Sequence, residues 1–144
     1  MVSVERVTSS DGISLDDINT LLTQIRRNPE GSIATNEELV SITGNPNTIF
    51  VAAKDDKRIV GMGLVFLAQK FAGKIGLVES IVVLDSYRGQ GLGRKIMELL
   101  IFESKKAGVK GLDLTSHPDR VAANALYQKL GFEQRETNVY RLKL

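Results

Sequence analysis

The amino-acid sequence predicts a mixed α/β fold of α+β character, and three observations carry that expectation. Three β runs follow one another between residues 48 and 84 with no helix among them, the pattern of strands paired antiparallel. A long helix and a short strand come next, so the chain must then make a crossover. Of the 144 residues, 42% are hydrophobic and 25% charged, the balance of a chain that buries a core. A chain of this length buries about 68–70% of the surface its unfolded form exposes.

The elements follow in order. Ser3–Thr8 reads as the first strand, closed by the turn pair Asp11-Gly12. Ser14 and Asp17 have capping-box spacing, with Asp in place of the usual Glu or Gln. Behind them Leu15, Ile18, Leu21, Leu22 and Ile25 recur on one helical face until Asn28-Pro29 stops it. Thr35 and Glu38 repeat the capping pattern ahead of a shorter helix ending near Gly44. Thr48–Ala53 and Arg58–Ala68 flank a polar turn at Lys54–Lys57 and form a hairpin. A third run, Ile75–Leu84, enters a glycine-rich turn and a helix from Leu92 to Ala107. A strand at Leu112–Thr115 and a helix at Arg120–Leu130 follow, with Gly131 at its left-handed cap. Two short β pieces, the last Asn138–Leu142, complete the order. No repeat, low-complexity tract or linker interrupts it, so residues 1–144 read as a single domain.

Composition removes much chemistry. There is no cysteine and one histidine, His117, so thiol nucleophiles, disulfides and Cys/His zinc sites are excluded. Carboxylates, hydroxyls, lysines and backbone amides remain. Residues 1–72 carry 7 basic against 9 acidic side chains, and residues 73–144 carry 12 against 8. A positive second half suits a small anionic ligand. It suits nucleic acid less, because the basic residues are spread among acids and no aromatics interleave with them. The longest apolar stretch, Ile59–Ala68, is interrupted by Gly61 and Gly63 and is too short to span a bilayer. The N-terminus lacks a basic-then-apolar signal pattern, so the expectation is a cytoplasmic protein with no membrane partner.

The informative stretch joins the third β run to the long helix. Ile81-Val82-Val83-Leu84-Asp85-Ser86-Tyr87 leads into Arg88-Gly89-Gln90-Gly91-Leu92-Gly93-Arg94. The first N–H groups of a helix lack internal partners and carry the positive end of its dipole. Glycines let a ligand approach such a backbone closely, which makes the turn a cradle for phosphate. The dinucleotide fingerprint fails, since its third glycine falls on Arg94. The nucleoside-triphosphate loop G-x-x-x-x-G-K-S/T is also absent. What stands here is Arg-x-x-Gly-x-Gly, at Arg88, Gly91 and Gly93.

This spacing resembles the acyl-coenzyme A pyrophosphate motif of the GNAT superfamily of N-acetyltransferases, Gln/Arg-x-x-Gly-x-Gly/Ala after a buried strand. Ala123-Asn124-Ala125-Leu126-Tyr127-Gln128-Lys129-Leu130-Gly131-Phe132 is similar to the family's second signature, A-x-x-L-Y-x-x-x-G-F. Many members place an asparagine seven residues before the tyrosine, where this chain has Arg120. The detailed match runs from Gly76 to Leu144, and the first half agrees in element order. The resemblance implies a GNAT-type fold, with a central, mostly antiparallel, splayed sheet of about six or seven strands and about four helices.

It also implies roles for residues. Backbone N–H groups of Arg88, Gly89, Gln90, Gly91, Leu92, Gly93 and Arg94 would hold the pyrophosphate of acetyl-CoA. Ile81, Val82 and Val83 would pair with the pantetheine arm, Asn124 would touch that arm, and Tyr127 would protonate the departing thiolate. On the helix, Ala122, Ala125, Leu126 and Leu130 form one stripe, with Asn124 and Tyr127 on the other side.

Glu79 is the only ionisable side chain between Lys74 and Asp85. Strict alternation puts it on one face with Leu77, Ile81 and Val83, where burial would raise its pKa toward that of a general base. The alternatives are a carboxylate paired with a structural arginine, or proton removal through water. His117, in Ser116-His117-Pro118-Asp119, reads as a surface-loop residue, with Asp119 as a cap for the next helix. Asp113 reads as a structural or outward side chain, and Lys105, Lys106 and Lys110 as a solvated helix end or a contact to the ribose phosphate.

The expectation is an acetyl-CoA-dependent N-acetyltransferase working by direct transfer in a ternary complex, with no metal. Its acceptor side would be built from Arg26–Glu38 and Gln134–Asn138, with Arg26, Arg27, Glu30, Arg135 and Glu136 as mixed charges. A small-molecule amine is the expected acceptor, with a second copy of the chain as a candidate homodimer partner. Acetylation of a protein N-terminus or lysine, and a non-catalytic acyl-CoA-binding sensor domain, are the alternatives.

Overall fold

A computed structural model of the chain describes residues 1–25 and 33–144. It resolves into two compact units, Met1–Leu114 and Thr115–Leu144. The first contains β1 (Val2–Val7), α1 (Leu15–Thr23), α2 (Asn36–Gly44), β2 (Thr48–Asp55), β3 (Arg58–Lys70) and β4 (Gly73–Val83). A short 3-10 turn at Asp85–Tyr87, α3 (Leu92–Lys106) and β5 (Leu112–Asp113) complete it. The second contains α4 (Val121–Lys129).

The strands form one sheet in the order β1-β2-β3-β4-β5. The first four pair antiparallel and β5 is parallel to β4 after the α3 crossover. The register joins β4 to β5 only at Gly76↔Leu112 and Leu77↔Asp113. Beyond Leu77, that edge of β4 has no strand beside it among the described residues, so the sheet is splayed as expected. The strand count is lower than the six or seven expected. Asn138–Leu142 and the piece before it form no strand, and Val139, Tyr140 and Leu142 stand 74%, 87% and 83% exposed. β propensity becomes a strand only where a second backbone is in register to pair with it, and that condition is tertiary.

Local chemistry accounts for the helix starts. Thr35 and Glu38 make both halves of a capping box at α2. At α1 only half forms: Ser14 Oγ accepts from the Asp17 N–H at 3.2 Å. The Asp17 carboxylate instead accepts the Ile59 N–H at 2.9 Å and stitches α1 to β3. The helix ends at Thr23, and the expected stop at Asn28-Pro29 lies outside the described residues.

α1 and α2 share one face of the sheet with Phe50, Met62 and Leu64, which line a common cavity with them. The alternate residues of β3 meet α3. Built on Gly63, a Cβ would lie 2.5 Å from Ile81 Cδ1, 2.8 Å from Leu100 Cδ1 and 2.9 Å from Ile96 Cγ2. Ile96, Met97 and Leu100 of α3 are fully buried there, with Val51 and Val65 from the sheet. Glu103, also buried, fastens α3 to β1 through Arg6 at 3.0 Å. No helix among the described residues is long and apolar enough to cross a membrane.

At Gly63 the side chains of α3 and β4 crowd the backbone of β3. Gly63→Ala forces three packed side chains to shift at once, and we expect it to destabilise the fold by about 1–3 kcal/mol. Denaturant titration reads this directly, and an unchanged midpoint would mean that the α3 interface has room for a methyl group.

Candidate functional site

The glycine loop is built from the end of β4 outward. Leu84 N–H donates to Val60 O at 2.8 Å, and the 3-10 turn closes with Tyr87 N–H on Leu84 O at 2.8 Å. Gly89 and Gly91 then take φ of 81° and 75°, the left-handed region where a side chain is strained. Gly91 is the N-cap of α3, with no side-chain cap bond. The first intrahelical bond is Lys95 N–H to Gly91 O, which leaves the N–H groups of Leu92, Gly93 and Arg94 outside the helical ladder. A Cβ on Gly89 or Gly91 would meet nothing within 4 Å, so the space over the loop is open. Leu92, only 4% exposed, anchors this helix start in the core. Gln90 is exposed. The two flanking arginines are held by acids of their own segment, Arg88 by Asp85 at 3.0 Å and Arg94 by Glu98 at 2.7 Å.

Two side chains brace the loop from elsewhere in the unit. Tyr87 Oη donates to Asp55 Oδ2 at 2.5 Å, tying the 3-10 turn to the end of the β2–β3 hairpin. That bond holds the Asp55 carboxyl below its usual range and raises the Tyr87 phenol above its own. Gln24, at the C-cap of α1, donates through Nε2 to Val83 O at 2.9 Å and accepts the Asp85 N–H at 3.2 Å.

β4 itself is irregular where the chemistry was expected. Glu79 lies opposite Leu64 and Val82 opposite Met62, three steps on β4 against two on β3. Ser80 is the bulged residue, with φ 56°. The extra residue changes the faces. Leu77 and Glu79 share the side of Leu64, whereas Ile81 meets α3 beside Gly63. Strict alternation had grouped Glu79 with Ile81 and Val83, and the bulge overturns that. Nor is Glu79 buried: its side is exposed, and the expectation of a desolvated carboxylate in an apolar strand fails with the alternation that produced it.

In the second unit, the stripe of Ala122, Ala125, Leu126 and Leu130 is not the buried side of α4. Ala122 and Ala125 are exposed, and Tyr127 is the buried residue, at 6%. Two alanines offer little apolar surface beside a phenol ring. The Tyr127 ring meets Phe132 edge-on, with centroids 6.0 Å apart, and burial pushes its pKa up against a weaker opposing pull from Arg120. Asn124 Nδ2 donates to His117 O at 3.0 Å. His117 is half-exposed and pairs with Asp119 at 2.6 Å, so Asp119 is not the helix cap; Arg120 occupies the N-cap without a side-chain bond. Of the lysines, Lys106 lies over Phe102 and near Glu103, and Lys110 donates to Ala72 O at 2.6 Å. Asp113 is exposed on β5. Arg26, Arg27 and Glu30 lie outside the described residues, and Arg135 and Glu136 are exposed.

The sequence model of the Acetyltransferase (GNAT) family matches residues 15–132. The chain belongs to this family. A probable glucosamine 6-phosphate N-acetyltransferase 2 of Oryza sativa subsp. japonica is 35% identical over 98 residues, 64% of this chain and 57% of that protein. An aminoglycoside N(6')-acetyltransferase type 1 of Stenotrophomonas maltophilia is 28% identical over 110 residues, 72% of each. The matched stretch thus spans little more than half of the rice protein. Among solved structures, a Trypanosoma brucei acetyltransferase superposes with a TM-score of 0.79 at 26% identity, covering 100% of both chains.

Within this GNAT chain, sequence reading missed Gln24 and the Tyr87–Asp55 pair. Tyr87 lies within the quoted loop, but nothing in its spacing points 32 residues back to Asp55. We expect Tyr87→Phe to lower the thermal midpoint at neutral pH. A carboxyl held low in the folded state stabilises above its unfolded pKa and loses that contribution as pH falls through the folded value. The gap between Tyr87→Phe and the parent should therefore be full near neutrality and close on acidification. Melting curves across pH check this, and a gap independent of pH would assign the effect to packing.

Proposed function

We propose that this protein is an N-acetyltransferase that moves an acetyl group from acetyl-CoA to a primary amine of a small molecule, by direct transfer in a ternary complex. In this reading residues 1–144 act as one acetyltransferase domain. The observation that carries it is the uncapped glycine start of α3, standing after a β4 edge that beyond Leu77 has no strand beside it among the described residues. Unpaired N–H groups at a helix N-terminus suit a pyrophosphate, and an open strand edge suits the amide-bearing arm that follows it. The names of the rice and Stenotrophomonas relatives support a small amine as acceptor.

Acetyl-CoA supplies the activated thioester. The N–H groups from Gly89 to Arg94 hold the pyrophosphate, that of Arg88 being donated to Asp85 O at 3.2 Å. Ile81, Val82 and Val83 pair with the pantetheine arm, which Asn124 also contacts. A strand N–H at Val82 or Val83 polarises the thioester carbonyl, an oxyanion-type contribution. Glu79 takes the ammonium proton, and its exposure favours relay through water. Tyr127 gives a proton to sulfur. Its raised pKa keeps the phenol protonated through neutral pH, the state that a donor needs.

Two variants test the assignments. Tyr127→Phe should lower kcat about 100-fold while the Kd for CoA stays near that of the parent. Equal turnover would remove Tyr127 from the mechanism. Glu79→Gln should lower kcat while the Kd for CoA stays near that of the parent, and unchanged turnover would leave Glu79 without a catalytic role.

A further inference from the structure

The face of the sheet that carries Glu79 also carries a cavity of about 240 Å3. It is larger than the roughly 150 Å3 of an apolar cavity known to take up benzene. Its walls are apolar side chains of α1, of α2 and the residues before it, and of the sheet, among them Leu22, Ala34, Leu39, Phe50, Met62 and Leu64. Among the described lining residues only Glu38 and Ser80 bring polar side chains. Glu38 Oε1 is already engaged, accepting from both the N–H and the hydroxyl of Thr35 at 3.0 Å. Ser80 is the bulged residue of β4, and the cavity therefore reaches the point where the strand breaks its alternation. Leu64, one of the walls, is the register partner of Glu79.

We propose that the acceptor amine has an apolar body, an alkyl chain or an aryl ring, seated in this cavity, with its amino group at the β4 bulge beside Glu79. The inference rests on the acetyltransferase reading and narrows its substrate class. An apolar wall gains by excluding water from an apolar group. A sugar ring or a phosphate would lose hydration there with only Ser80 and the second carboxylate oxygen of Glu38 to meet it, and that oxygen repels a phosphate. A primary amine on a short hydrocarbon satisfies both ends. The hydrocarbon fills the cavity, and the ammonium keeps a carboxylate within its neighbourhood at the exposed end of the face. The acceptor thus differs in class from what the names of the rice and Stenotrophomonas relatives describe.

The test measures binding by calorimetry, and acetyl-CoA turnover in parallel, for the n-alkylamines from ethylamine to hexylamine, for 2-phenylethylamine and for glucosamine 6-phosphate. The expected result is an affinity rising about fourfold per methylene until the chain outgrows the cavity. Turnover should follow the same order. Ala34→Leu, which adds bulk at a half-buried wall position, should end that rise at a shorter amine. If the variant does not fold, the parent series decides by itself. A flat series, or glucosamine 6-phosphate preferred to hexylamine, overturns the inference while acetyl-CoA consumption keeps the acetyltransferase reading intact. Length-dependent binding with no acetyl-CoA consumption on any amine overturns the acetyltransferase reading, and the acceptor role with it.

Discussion

Between Leu64 and Met62 the third strand advances two residues while β4 advances three, and the surplus residue, Ser80, takes a left-handed backbone conformation. On one side Gly63 lets Ile81, Ile96 and Leu100 close over the bulge. On the other the cavity leaves room at Ser80. A bulge costs ladder pairing and backbone strain, and it persists where the surroundings over-determine it. Here it turns Glu79 toward α1 and α2 and Ile81 toward α3. It therefore decides which groups can share a site.

The glycine loop depends on the strand that the bulge redirects. β4 ends at Val83, whose carbonyl is bound by Gln24, and the turn that follows is tied to the hairpin by Tyr87 and Asp55. Leu92 then fixes the first turn of α3 in the core. The loop residues themselves stay open, with no Cβ neighbour at Gly89 or Gly91. A braced frame around N–H groups that lie outside the helical ladder is preorganised: an anion bound there would require no reordering of the donors.

Much of this was legible residue by residue. The Thr35/Glu38 box, the antiparallel run from Thr48 to Val83 and the helix starting at Leu92 all follow from local propensity and periodicity. So does the glycine loop, because glycine at 89 and 91 answers to a backbone angle that the local chain sets. The errors share a different cause. Counting in twos gives Glu79 a buried face, and one inserted residue voids that count. Tyr127 was placed off the core by an alanine stripe, yet burial goes to the side chain with the most apolar surface to hide. Asn138–Leu142 was read as a strand on composition, while pairing depends on a partner backbone.

The sequence by itself determined the kinds and order of the elements through α4, the glycine loop and the chemistry open to a chain with no cysteine and one histidine. These depend on each residue's own side chain and its near neighbours, with energies that local windows contain. Only the tertiary structure decided the bulge, the apolar cavity beside it, the Gln24 and Tyr87–Asp55 braces and the burial of Tyr127. The first three are contests between packing partners far apart in the chain, and the last is one between the faces of a single helix. Their outcome turns on shape and register, which no stretch of sequence carries alone.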